Sequence, residues 1–148
     1  MSENGAYDAL VMDHIRHARN FRVIEDANRY AKGVNPLCGD EMSVYLTLTV
    51  DRIDDIAYQC TCCGISMASA SIMTQVVKGG RVAEAKLLLR DFMKSIDRCA
   101  DPHSRDFSME QLAIRETVLR FPSRARCAAL PWATLEAALN EQDMAVVR

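Results

Sequence analysis

The chain has 148 residues, 49% of them hydrophobic, with 18 Lys and Arg against 20 Asp and Glu and a formal net charge of −2. These are the proportions of one globular domain over 1–148, long enough to bury roughly 70% of its unfolded surface. No apolar run approaches the ~20 residues of a membrane span, one Trp and four Tyr without a basic stripe exclude a dedicated nucleic-acid binder, and Glu3, Asp8, Asp13, His14 and Arg16 interrupt any signal-peptide core.

Residues 1–6 read as a flexible polar tail. Tyr7, Leu10, Val11, His14, Ile15 and Ala18 recur at helical spacing and predict a helix near 7–19. His14 falls on its apolar face and reads as a packing residue. Residues 20–42 read as loop, broken by Asn20, Asn28, Gly33, Asn35, Pro36 and Gly39. Val44, Leu46, Leu48 and Val50 alternate with polar residues as a half-buried strand. Residues 51–54 read as a turn, and 56–59 as the hairpin partner.

From Gly64 the period lengthens. Ile65, Ala68, Ile72, Met73 and Val76 make one face of a helix that Gly79-Gly80 stops. Its Ser66, Ser69 and Ser71 read as small residues for close packing. Val82, Ala85, Leu88, Leu89, Phe92, Met93 and Ile96 predict a second helix, broken by Asp101-Pro102. Ser108 with Gln111 is a capping box opening a short helix that ends near Phe121-Pro122. The last helix reaches about Leu139. Pro131 would clash with the carbonyl of Cys127, so that helix is expected to start late or kink. The order of elements predicts an α+β layer, a small antiparallel sheet with helices on one face.

Six cysteines stand out: Cys38, Cys60, Cys62, Cys63, Cys99 and Cys127. In the cytoplasm, the expected location, they stay reduced and point to metal binding or thiol chemistry. Cys38, Cys63 and Cys127 all fall at loops or helix starts, where free backbone N–H groups favour a thiolate. Asp40 adds an oxygen two residues after Cys38. Cys38, Asp40, Cys63 and Cys127 could form a four-ligand site for Zn²⁺, with Arg124 or Arg126 offsetting its negative charge. Spacing alone leaves free buried cysteines as an equal alternative. Cys99 reads as incidental.

Longer motifs narrow this. Asp13-His14 with Arg19-Asn20, residues 35–40 (Asn-Pro-Leu-Cys-Gly-Asp), residues 63–74 (Cys-Gly-Ile-Ser-Met-Ala-Ser-Ala-Ser-Ile-Met-Thr) and residues 121–128 with Leu130 and Trp132 together resemble the U-type iron–sulfur cluster assembly family, the SufU and IscU proteins. The resemblance implies a small antiparallel three-stranded sheet behind an N-terminal helix. It also implies metal or cluster binding by Cys38, Asp40, Cys63 and Cys127.

Two features are closer to the SufU branch. Arg126 stands where IscU-type scaffolds carry His, and the spacer at 80–120 is longer. That branch implies a zinc-dependent sulfurtransferase. Cys38 would accept persulfide sulfur from a PLP-dependent, SufS-like cysteine desulfurase and pass it to downstream cluster-assembly proteins. The alternative is a scaffold that builds and transfers a [2Fe–2S] cluster. The chain departs from relatives at Cys60-Thr61-Cys62-Cys63, where a Gly-x-Gly-Cys approach is expected. Strand alternation puts Cys60 and Cys62 with Ile56 and Tyr58, opposite Cys63. Core filling is the favoured reading; accessory ligands, a sulfur relay or a disulfide are the alternatives.

Overall fold

The computed structural model describes residues 3–96 and 107–147. It is an α+β fold in which helices pack on a four-stranded mixed sheet. Helix α1 (Glu3–Arg16) leads into β1 (Arg29–Asn35), β2 (Asp40–Thr49) and β3 (Arg52–Thr61). Helices α2 (Gly64–Val77), α3 (Val82–Ile96), α4 (Met109–Arg120) and α5 (Ala125–Leu139) follow, and β4 (Met144–Val146) ends the order. Among the described residues no helix is long and apolar enough to cross a membrane.

The sheet order is β3-β2-β1-β4. The first three strands are antiparallel, and β4 runs parallel to β1. This corrects the expected three-stranded antiparallel sheet. Strand β1 lies within the stretch read as loop. Its buried face is Ala31, Gly33 and Asn35, two small residues and an amide, so it lacks the apolar alternation that marks a strand. The small face has a packing reason. Gly33 lies under α5, where an added Cβ would come within 1.9 Å of Thr134 Oγ1.

The β2–β3 hairpin turns at Val50-Asp51, since Thr49 already pairs with Arg52. The turn is therefore tighter than the expected 51–54. Helix α1 starts at Glu3, taking in residues 3–6, and stops three residues before the expected end. The capping box at α4 forms as read, with Ser108 Oγ accepting from the Gln111 N–H at 3.1 Å and Gln111 Oε1 accepting from the Ser108 N–H at 3.0 Å. The Asp101-Pro102 break and Cys99 lie outside the described residues.

Helix α5 starts at Ala125 and runs through Pro131, so of the two expectations, a late start or a kink, the late start does not hold. Proline cannot donate to the Cys127 carbonyl four residues back. Helix α2 supplies the missing donor: Ser66 Oγ donates to Cys127 O at 2.9 Å, and Ser69 Oγ donates to Ala128 O at 2.7 Å. The serines pack closely, as read, and also hydrogen-bond across the interface. Trp132, Tyr58, Phe92 and Leu130 are fully buried around this contact.

Candidate metal and thiol site

Three segments remote in sequence meet at one end of the sheet. The first is the turn between β1 and β2. Asn35 organises it: its carbonyl accepts from the N–H groups of Cys38 and Gly39 at 3.2 and 2.9 Å, and its side-chain oxygen accepts from the Leu37 N–H at 3.3 Å. Gly39 supplies the positive φ of 72° that the reversal needs. The turn leaves Cys38 exposed and sends Asp40 inward, 8% exposed. The second segment is the start of α2, with Cys63 in the N-cap position. The third is the short 3₁₀ turn Pro122–Arg124 running into α5, which buries Cys127 in its first turn.

The ligand atoms of Cys38, Asp40 and Cys127 lie within 4.8 Å of one another. Cys63 stands outside that mutual distance, but it and the Cys127 thiol perturb each other's ionisation. Its sulfur is also 3.6 Å from Ser66 Oγ. Ser66 thus touches one cysteine side chain and the carbonyl of another, a role its reading as a packing residue missed.

The electrostatics separate the thiols. Burial opposes ionisation of Cys63, but the Ser66 N–H and hydroxyl, the Cys127 thiol and the Ile65 N–H outweigh it and lower its pKa. The Ser66 and Ile65 N–H groups belong to the open first turn of α2, where N–H groups lack partners within the helix. Cys127 is pushed up to about 12 by burial and by the neighbouring Cys63, against the pull of Arg124. Interaction with the Cys127 sulfur, and next with Cys63, raises the pKa of Arg124 itself. Of the two arginines proposed to offset charge, Arg124 therefore faces the thiols. Arg126 is exposed on α5.

The donor set suits a thiophilic divalent cation. Asp40 Oδ2 is buried and has no hydrogen-bond partner among the described residues. A buried carboxylate oxygen without a donor is costly, and a cation held with the adjacent thiolates would satisfy it. Three thiolates and one carboxylate match the coordination number and ligand types of Zn²⁺.

Cys60 and Cys62 behave differently from the favoured core-filling reading. They form a disulfide with Cα atoms 5.5 Å apart, within the span such a bond bridges. They still pack against the core from one side, but neither thiol is free to ligate in this state. Cys38, Cys63 and Cys127 are free thiols. His14 is 2% exposed with Nδ1 2.7 Å from Ser71 Oγ, a packing position away from the thiols.

A family model described as the NifU-like N terminal domain matches residues 6–128. The zinc-dependent sulfurtransferase SufU of Bacillus subtilis (strain 168) is 30% identical over 137 residues, covering 93% of this chain and 91% of that protein. The iron–sulfur cluster assembly scaffold protein IscU of Streptococcus pyogenes serotype M1 is 31% identical over 137 residues, covering 93% of this chain and 84% of that protein. A crystal structure from Fervidobacterium islandicum AW-1, assigned as an iron–sulfur cluster assembly scaffold protein for the SUF system, superposes with a TM-score of 0.75 at 28% identity, covering 93% of this chain and 99% of that one.

Proposed function

The chain belongs to the NifU-like N-terminal family of iron–sulfur cluster assembly proteins, and from that premise we propose that it is the sulfur acceptor of a PLP-dependent cysteine desulfurase, with Cys38 receiving the sulfur. One observation carries the reading: Cys38 is exposed at the tip of a tight turn while its thiol stays within 4.8 Å of the Asp40 and Cys127 ligand atoms. A thiol so placed can be reached by a partner protein and still belong to a metal-binding set.

Cys38, Asp40, Cys63 and Cys127 would hold zinc, which when bound keeps the thiols deprotonated and shielded from adventitious oxidation. The transfer itself is thiol–persulfide exchange. The Cys38 thiolate attacks the outer sulfur of the desulfurase persulfide. That sulfur–sulfur bond breaks, a new one forms on Cys38, and the enzyme's thiol leaves as thiolate. Arg124 beside Cys127 offsets the negative charge gathered there. The exposed Leu37 and Pro36 flanking Cys38 leave the turn open to a partner's active-site loop.

The test is alanine production by a cysteine desulfurase with the protein present. Native protein is expected to stimulate turnover, and Cys38→Ser is expected to remove the stimulation; retained stimulation would sink the assignment of Cys38. Elemental analysis of anaerobically purified protein should find about one zinc per chain, as a closed four-ligand site requires. Iron with acid-labile sulfide would favour instead the scaffold reading, in which the same residues hold a [2Fe–2S] cluster as cargo. That second reading draws on the IscU scaffold protein at 31% identity.

A further inference from the structure

The end of β3 carries a second pair of sulfur atoms, and we infer that Cys60 and Cys62 are a two-electron dithiol–disulfide couple that releases sulfur held on Cys38 as sulfide. The inference rests on the reading of Cys38 as acceptor.

Four observations converge on it. The pair is bonded to itself while the three neighbouring site cysteines are free, so one short stretch separates redox from ligand sulfur. The strand register brings the pair toward the site: Met42 faces Cys60, and Glu41 faces Thr61 as the last pair of the ladder, so Cys62 follows directly where β2 begins at Asp40. Asp40 is itself grouped with Cys38. Access is open, because both cysteines are only half-buried and Cys60 lines a surface cleft of about 360 Å³ with Met42, Lys32 and Thr61. Finally, the bond closes a loop of only three residues. So short a loop removes little entropy from the unfolded chain, which makes the bond a poor structural staple.

The chemistry supplies a need. Sulfur arriving on Cys38 is sulfane sulfur, formally zero-valent. Iron–sulfur clusters contain sulfide, two electrons more reduced. In the first step the Cys62 thiolate attacks the outer sulfur of the Cys38 persulfide. The Cys38 sulfur–sulfur bond breaks, Cys38 leaves as thiolate, and the persulfide now sits on Cys62. In the second step the Cys60 thiolate attacks the Cys62 sulfur. The outer sulfur departs with the bonding electron pair as hydrosulfide, and the Cys60–Cys62 disulfide forms. The two protons of the dithiol go to the Cys38 thiol and to solvent. Sulfane sulfur is reduced by two electrons and the pair is oxidised by two, ending in the bonded state seen here. A dithiol reductant resets it with two electrons and two protons.

The experiment uses the full chain, pre-reduced, desalted without oxygen and loaded with a stoichiometric low-molecular-weight persulfide. Sulfide is measured by trapping, and each cysteine is assigned by alkylation and mass spectrometry. Native protein is expected to release about one sulfide per persulfide loaded, with no added reductant, and to form the Cys60–Cys62 disulfide. Cys60→Ser and Cys62→Ser, tested singly so that one misfolded variant does not decide the matter, should keep the persulfide and release at least tenfold less sulfide until dithiothreitol is added. Persulfide on Cys38 without sulfide release in native protein would overturn the couple and leave the acceptor reading standing. Sulfide release and disulfide formation that persist in Cys38→Ser would overturn transfer from Cys38. Neither persulfide on Cys38 nor sulfide release would overturn both.

Discussion

Val50 is the residue where local backbone chemistry and the fold disagree most. It occupies the first central position of the β2–β3 turn with φ of 58° and is 97% exposed. A left-handed backbone brings Cβ against the following carbonyl and costs about 1–2 kcal/mol for a residue other than glycine, and branching at Cβ worsens the crowding. Among the described residues nothing packs against the side chain to offset this. A two-residue hairpin loop with positive φ at that position favours glycine. Val50→Gly relieves the clash but gives the unfolded chain more freedom, at about 0.5–1 kcal/mol. The expected net is a stabilisation of about 0.5 kcal/mol, read as a higher urea midpoint with an unchanged slope. A lower midpoint would show that the turn is not strained. The same residue explains why the hairpin reads as a later turn. Val50 completes the alternation of Val44, Leu46 and Leu48, so its apolar character extends the strand signal one position into the loop.

At the scale of elements, the α2–α5 contact is a proline problem with a serine answer. Pro131 removes the N–H that would bond the Cys127 carbonyl, and Ser66 supplies a hydroxyl in its place at 2.9 Å. Ser66→Ala should therefore cost about 1–3 kcal/mol, because it strands a buried carbonyl. In a Pro131→Ala background residue 131 regains its N–H, and the same serine change should cost at least about 1 kcal/mol less. Urea unfolding of the four proteins measures the coupling. Additivity within about 0.5 kcal/mol would show that Ser66 and Pro131 act independently. This interface marks the limit of what was legible. Helices α2, α3 and α4 announce themselves through periodic apolar residues, stop signals and the Ser108–Gln111 box. Pro131 argues locally against the helix that contains it, and only a partner remote in sequence reverses that argument. Strand β1 was hidden for a related reason: Gly33 and Asn35 are strand residues because of what lies across from them, α5 and the β1–β2 turn, not because of their own propensity.

Across the whole molecule, the sheet and helices bring the 36–40 turn, the start of α2 and the start of α5 to one end, where the candidate ligands gather. The candidate ligands could be named because the longer motifs around Cys38, Cys63 and Cys127 resemble a known family, whereas cysteine spacing alone left buried free thiols an equal alternative. The orphaned Asp40 oxygen was not legible, since it depends on what other segments leave unpaired around it, while the Cys60–Cys62 bond and Arg124 beside Cys127 stood only as one alternative among several. The N-terminal helix is held beside this core by a buried histidine, and that makes overall stability depend on pH. His14 is 2% exposed against Ser71. Burial lowers its pKa below the ordinary 6.5, the nearby Arg19 lowers it further, and Glu110 and Asp13 pull the other way without prevailing. Between the folded value and 6.5 the unfolded chain binds more protons at this site. Stability from a neutral His14 is therefore complete above about pH 6.5 and is lost as pH falls through the folded value, with a slope of at most about 1.4 kcal/mol per pH unit. Asp13 and Asp55 are both held below 3.8, so their contributions are lost only in stronger acid. The urea midpoint should fall between pH 7.5 and pH 5.5 in the native chain. His14→Gln keeps a hydrogen-bonding side chain beside Ser71 but cannot titrate, so its midpoint should be flatter over the same interval. Equal slopes in the two proteins would mean that protons entering the fold in this range bind elsewhere.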